Sequence, residues 1–479
     1  GVMDNTIINV GIPTLGRAFD ASTTQLQWIV DAYTLVFAVL MLPGGYLGDR
    51  VGRRKILITG LLGFAVVSSV SAMTTHITVL IGLRVLLGIC AALVFPATLS
   101  LISTIFKGTK HHALAVGLWA ATAGLGIALG PVVGGLLLEH FEWPSLFWIN
   151  IVIVLPVAGI SSFLVPESRS NKLGRFDAVG MCLAIAALGL FVGSIIEGPQ
   201  LGWTTLPVLG GLATSILLAG AFMAWEKRVD SPMLDLSLFR ASNVATCSSA
   251  IGLAFFSLFG FTFTITIYFQ AVRGYSALQA GLAILPFAVV MGACSPLAPV
   301  LARRFGTGRC VPFGIALMGI GFWIVSFADA TNSYWAVMVP AMIFMAMGLA
   351  FAQGPATDII LSAAPSDEIG VASGVNDSIR EIGGTIGVAV LGSILTHVYR
   401  DQMSTVTSTS SSLSAAGDSI MAAQQIAATL PEGSQQTTLR ATASDAFLSA
   451  LHINCLILTG IMLTASILIA FRFVHNARH

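Results

Sequence analysis

Three ionisable side chains stand inside long apolar runs: Asp4 in MDNTIINVGIP, Asp31 in WIVDAYTL and Arg84 in RVLLG. In hydrocarbon such a group costs several kcal/mol unless it is paired or neutralised, so by default it marks a place of binding or proton movement. Asp31 and Arg84 lie at about the same depth, roughly 9 Å from a helix end at about 1.5 Å per residue. Arg84 can therefore neutralise Asp31 or, by extending inward, Asp4. Burial favours a neutral carboxyl and an adjacent guanidinium favours the ionised one, so a carboxylate that competes for one Arg is poised to exchange protons. The plainer alternative is a fixed structural ion pair.

A second charged constellation runs from Gln353 to Gly392. Asp358 and Asp377 come at matching depths, roughly 10 Å from the nearer ends of their spans. Arg380 and Glu381 follow Asp377 by three and four residues, which lets Arg380 pair with Asp377 on its own helix or reach Asp358. These groups suit an inner gate or a second charge site, and equally solvated charges lining a mouth. Around both sets, Trp28, Tyr33, Phe37, Met41, Trp119 and Phe259 offer aromatic faces and a pliable thioether to flat lipophilic cations. Each cation–π contact contributes roughly 0.5 to 2 kcal/mol. Helix packing or lipid contact accounts for such residues in any apolar span.

The elements that must hold these groups are membrane spans. Charged residues are 9% of the 479, where soluble domains carry about 25%, and mean hydropathy is +0.88. Apolar runs long enough for a bilayer recur along nearly the whole chain, and we count fourteen. The first, from Gly1 to about Gly16, is short for a core of roughly 30 Å, so part of it is expected upstream of Gly1.

Charge sets the orientation. Loops on one side, with the C-terminal segment, hold 17 of the 23 Lys and Arg, the opposite loops hold four, and Arg84 and Arg380 lie inside spans. The basic side is expected in the cytoplasm with both chain ends, in a cell (plasma) membrane. The six cysteines show no CxxC or metal-ligand spacing, so no metal is expected. The basic clusters are explained by topology, and nucleic acid is not an expected partner.

LPGGYLGDRVGRRK, from Leu42 to Lys55, runs an apolar Gly-rich helix end into Asp49 and four basic residues, as in a tight turn between two spans. A second motif, AGLGIALGPVVGG from Ala123 to Gly135, spaces Gly126, Gly130 and Gly134 by four, which lets another helix approach closely, while Pro131 loosens the helix. The first echoes LARRFGTGR from Leu301 and the second EIGGTIGVAVLGS from Glu381. Residues 1–165 and 241–479 then read as equivalent six-helix bundles, and 166–240 as a linker with inserted spans 7 and 8. The stretch 401–446, rich in Ser, Thr, Ala and Gln, is expected to be an extracellular loop without its own core.

With the loop at Gly45 to Lys55, DNTIINVGIP, WIVDAYTL, RVLLG, the glycine motif and GVASGVNDSIREIGG from Gly370, the chain resembles the fourteen-span drug:proton antiporters of the major facilitator superfamily, the quaternary-ammonium and multidrug exporter type. The resemblance covers essentially all 479 residues. It implies an all-α membrane protein with the major facilitator fold, 14 transmembrane helices in two pseudo-symmetric six-helix bundles plus two inserted helices. Asp4 and Asp31 become the span 1 and span 2 acids and Arg84 the buried span 4 base. Gly45, Asp49, Arg50, Gly52 and Arg53 become the gating loop. Gly126, Gly130, Pro131, Gly134 and Gly135 belong to the antiporter helix, which faces the other bundle and limits leakage. Leu87 departs from the Gln that many members carry, and span 10 lacks a clear mid-span acid.

Export against a gradient needs a coupled source. The chain has no G-x-x-x-x-G-K-[ST] phosphate loop, HExxH or G-x-S-x-G, so neither ATP hydrolysis nor enzyme chemistry is expected. A proton gradient without a cofactor remains, each charge contributing about 2.3 kcal/mol per 100 mV. The expected activity is efflux of lipophilic, cationic drugs or antiseptics by alternating access. Expected partners are that small molecule, protons and membrane lipids, with a monomeric state. An exporter of an endogenous lipid or secondary metabolite and a non-transporting membrane sensor stay open as alternatives.

Overall fold

The computed structural model of the chain describes residues 2–19, 23–170, 176–230, 232, 234, 242–365, 368–407, 416–417, 419–430 and 433–476. In a bilayer every backbone N–H and C=O must find a partner inside the protein, and the α-helix does this within one segment. The first set is α1 (Val2–Phe19), α2 (Thr23–Val51), α3 (Arg53–Met73), α4 (Ile77–Ile105), α5 (His112–His140) and α6 (Ser145–Leu164). Then come α7 (Ala178–Leu201) and α8 (Leu206–Glu226). The last set is α9 (Ser242–Ile267), α10 (Ala277–Cys294), α11 (Leu297–Phe305), α12 (Thr307–Val325), α13 (Tyr334–Ala363), α14 (Ile369–Thr407), α15 (Ile420–Thr429) and α16 (Ser434–Asn476).

The breaks have local causes. Gly52 at φ 124° turns the chain between α2 and α3, a backbone state that side chains resist. The α10 and α11 axes differ by 53° across Ser295 and Pro296, where proline removes a backbone donor. Asp177 caps α7 by accepting from the Gly180 N–H, and Ser276 with Gln279 forms a capping box on α10. Among the described residues, eleven helices are long and apolar enough to cross a membrane, twelve if the bent α10–α11 pair is one span. Large apolar side chains such as Val66, Phe163, Leu206 and Leu217 face outward with most of their surface exposed. This is a multi-pass membrane protein.

The two sets pack in parallel ways. α5 lies against α1 and α10, and α14 lies against α9 and α2, so each set lends one glycine-rich helix to the other. α3 rests on α4 and α6, as α12 rests on α13 and α16. α7 and α8 pack on each other, and α7 touches α2 and α14.

The stretch 401–446 differs from the coreless loop its composition suggests. α14 and α16 are 39 and 43 residues long, about 58 and 64 Å, so they extend beyond a core of roughly 30 Å. Tyr399, Met403, Ala416, Ile420, Ala423, Ala427 and Leu439 are buried in the same apolar cluster as α9 and α13. The Tyr399 hydroxyl donates to the Ala416 carbonyl, and the Gln424 amide to that of Ala271. Small Ala side chains let these helices approach, so few large apolar residues suffice.

Candidate functional site

Asp4 sits where α1, α4 and α6 converge. The fully buried Arg84 donates Nη1 to Asp4 Oδ2 at 2.7 Å and Nε to the Ile29 carbonyl at 2.8 Å. Asn150 of α6 donates Nδ2 to Asp4 Oδ1 at 2.6 Å and to Ser68 Oγ at 3.4 Å. The guanidinium carbon lies 4.3 Å from the centre of the Tyr33 ring. A cavity of about 110 Å³ adjoins Asp4, lined among others by Phe64, Phe95 and Asn150. Asp31 is half-buried on α2, two residues before Tyr33.

From Tyr33 a chain of rings runs to Trp119. Centroid distances are 5.6 Å to Phe37, 5.8 Å on to Phe95 and 5.3 Å on to Trp119. Trp119 donates its indole N–H to Thr98 at 3.0 Å, which fixes the ring. At the far end the Arg380 guanidinium lies over Trp119, Phe95 and Phe255. Arg380 meets Asp377 Oδ1 at 3.5 Å, Asn376 donates to the same oxygen, and Glu381 is buried one residue on. Two buried arginines thus cap the two ends of one aromatic chain.

Asp358 does not join this cluster. Its carboxylate pairs with His112 Nδ1 at 2.8 Å, and His112 Nε2 lies 2.9 Å from Ser103 Oγ. Depth was matched, since Thr357 bonds Asn376 of α14. Adjacent helical residues point about 100° apart, however, so Thr357 faces α14 while Asp358 faces α5. Of the candidate cavity residues, Tyr33, Phe37 and Trp119 form the ring chain. Phe259 packs edge-on to Phe255 at 5.7 Å, and Met41 is fully buried. Trp28 is 39% exposed and is a lipid-side or rim residue by that measure.

The basic end is closed by the loop motif. Asp49 accepts from the Gly370 and Val371 N–H groups at 2.9 Å each, the first turn of α14, where the helix dipole favours an anion. Its Oδ1 also binds Arg53 Nε at 2.8 Å, and Arg53 reaches Thr104 and Ser168. Arg50 lies over Tyr46 and Phe176. A Cβ on Gly45 would strike the Gly370 carbonyl, and one on Gly52 the Glu167 carboxylate. The same end is crossed by the His112–Asp358 pair, by Ser373 Oγ donating to the Pro96 carbonyl and by Arg303 donating to that of Lys110.

Residues 1–388 match the family described as Major Facilitator Superfamily. The chain belongs to that superfamily. It is 34% identical to the multidrug efflux pump LfrA of Mycolicibacterium smegmatis, over 98% of this chain and 93% of that protein. With the methyl viologen resistance protein SmvA of Salmonella typhimurium it shares 34% identity over 83% of this chain and 80% of SmvA. The solved human organic anion transporter MFSD10 shares the fold at a TM-score of 0.61 with 14% identity, covering 98% and 97% of the two chains. This superfamily member is therefore a transporter and not an enzyme.

In the transporter, the glycine motif of α5 serves two interfaces. A Cβ on Gly130 would strike Thr6 of α1 and one on Gly134 would press on Ile7, while the Gly126 carbonyl accepts from the Thr6 hydroxyl. On its other face Gly135 meets Leu278, and Pro131 meets Gly281 of α10. Sequence reasoning missed Asn150, His112 and Phe95. Asn150, in FWIN, carried a usable signal as a polar residue in an apolar span; Phe95 carried none.

Proposed function

We propose that this transporter is a proton-coupled exporter of lipophilic, cationic drugs or antiseptics, with fourteen spans, its basic end and both termini in the cytoplasm of a cell-membrane protein. Counting α1 and α5 with the twelve apolar crossings gives fourteen. The parallel packing of the two helix sets supports two six-helix bundles around the inserted α7–α8 pair. The relatives support drug export, one being a multidrug efflux pump and another conferring resistance to methyl viologen, itself an organic cation.

The observation that carries the reading is the ring chain with a buried charge cluster at each end. Rings attract an organic cation, and carboxylates inside hydrocarbon take it or a proton as counter-charge. Asp4, Asp31 and Arg84 form the proton-coupling set in this reading, and Asp377, Arg380 and Glu381 the second. The Asp49 contact seals the cytoplasmic side, as alternating access requires while the other side is open. No cofactor takes part, and the gradient supplies the work.

The test is purified protein in liposomes under an imposed pH gradient, with internal pH followed as ethidium is added. Cation-dependent proton flux that disappears in Asp4→Asn or Asp31→Asn supports the reading. Intact gradients with no response sink it. The relative that is a tetracenomycin C resistance and export protein favours one alternative, export of a natural product, which flux of such a compound without ethidium flux would establish.

A further inference from the structure

Arg380 is held in an uncommon way for a buried guanidinium. Asp377 and Glu381 share its helix within one turn, yet its ion pair among the described residues is a single contact to Asp377 at 3.5 Å, the outer edge of hydrogen bonding. Arg380 Nε and Asp377 Oδ2 are buried with no hydrogen-bond partner among the described residues. Three rings hold the group instead, with the guanidinium carbon 4.4 Å from the centre of Phe255, 5.0 Å from Trp119 and 5.5 Å from Phe95. These rings come from α9, α5 and α4, so both helix sets build one aromatic box and Arg380 fills it.

On α13, Gln353 is 1% exposed, one turn from the Thr357 that bonds Asn376. Both of its amide atoms are likewise without partners. Buried polar atoms are seldom left so, and two within one turn of α14, with two more on α13 a turn from its bond to Asn376, mark a place whose partner comes and goes. Charge counting says what that partner is. With both carboxylates ionised, Asp377, Glu381 and Arg380 sum to one negative charge, which a low-dielectric interior resists. One further positive charge balances it, either a proton or a substrate cation.

We propose that Arg380 is a built-in stand-in for the transported cation, filling the Phe95–Trp119–Phe255 box until a lipophilic monocation displaces it onto Asp377 and Glu381. The inference rests on the efflux reading above and names how the cation is taken. When the guanidinium arrives, the O–H bond of the protonated carboxyl breaks, the proton passes to water, and Arg380 replaces it as counter-ion. One cation enters and one proton leaves. The Tyr33 hydroxyl of α2 is a titratable group on another helix within electrostatic reach of Glu381.

The experiment is binding of tetraphenylphosphonium to the purified full chain in detergent. Arg380→Met empties the box and should bind about tenfold more tightly than the wild type, while Phe255→Leu should bind several-fold more weakly. In the wild type, the arginine Nε–H resonance shifted by ring currents should return to the ordinary arginine range when tetraphenylphosphonium is added. This second readout needs no destabilising variant, and Arg380→Lys assigns the signal. Unchanged or weaker binding by Arg380→Met with an unmoved resonance overturns the stand-in role and leaves the efflux reading intact. If the wild type binds no lipophilic cation, both fall.

Discussion

At the scale of single residues, Asp4 is the most exposed to test. Its carboxylate holds Arg84 and Asn150 in a buried site, so Asp4→Asn takes the counter-charge at 2.7 Å from a buried guanidinium. Breaking a buried pair from one side costs about 3–5 kcal/mol, and we expect a clear drop in thermal stability together with loss of gradient-driven flux. Asn150→Ala removes one hydrogen bond to a charged acceptor, about 1.5–3 kcal/mol, and should shift the pH profile of flux while the protein still folds. A thermal-shift assay paired with proteoliposome flux separates the two. Asp4, Arg84, Asp377 and Arg380 were legible because a charge inside an apolar run stands out against its surroundings. The box ring Phe95 was not, since the chain has 28 phenylalanines and only packing distinguishes it.

At the scale of helices, the informative contacts are those with no room for a Cβ. Gly45 approaches the Gly370 backbone, and backbone cannot move aside as a flexible side chain can. Gly45→Val should therefore hold α2 and α14 apart, seen as a longer spin-label distance across the basic end and at least tenfold lower flux. Gly52→Ala should cost about 1–2 kcal/mol from its positive φ, since the Glu167 side chain it meets can move aside, measured by thermal shift. Glycine spacing announced these approaches in sequence but not their targets. A GxxxG pattern says that some helix comes close, and only the fold says that Gly130 meets α1 while Gly135 meets α10. The same limit explains 401–446, where alanines read as unstructured polar sequence and in fact pack helix on helix.

At the scale of the whole molecule, the multi-pass, all-helical architecture came from hydropathy, which depends on the bilayer more than on any contact. The 6, 2, 6 grouping was read from two internal echoes and belongs to the proposed fourteen-span reading. Which charges cross between the two helix sets did not come from hydropathy, because Asp358 and Asp377 share a depth and differ only in direction. The His112–Asp358 pair spans the sets at the basic end, partly buried at both members. Removing it with Asp358→Asn should loosen that end, raising cysteine accessibility there by several-fold while leaving the Asp4 site intact. A double-mutant cycle with His112→Gln should show that the two changes do not add. One long helix links three of these contacts. α14 carries the Gly370 N–H that Asp49 holds, the Asp377–Arg380–Glu381 cluster, and Ser393, which receives the Trp203 indole N–H at 3.1 Å. Gly370 and Ser393 stand roughly 35 Å apart on one unbroken helix. A rod gripped at two points with its charges between them acts as a balance beam: tilting it to free one grip loads the other, and under the proposed exchange the cation or proton taken up between the grips is the weight that decides which way it leans.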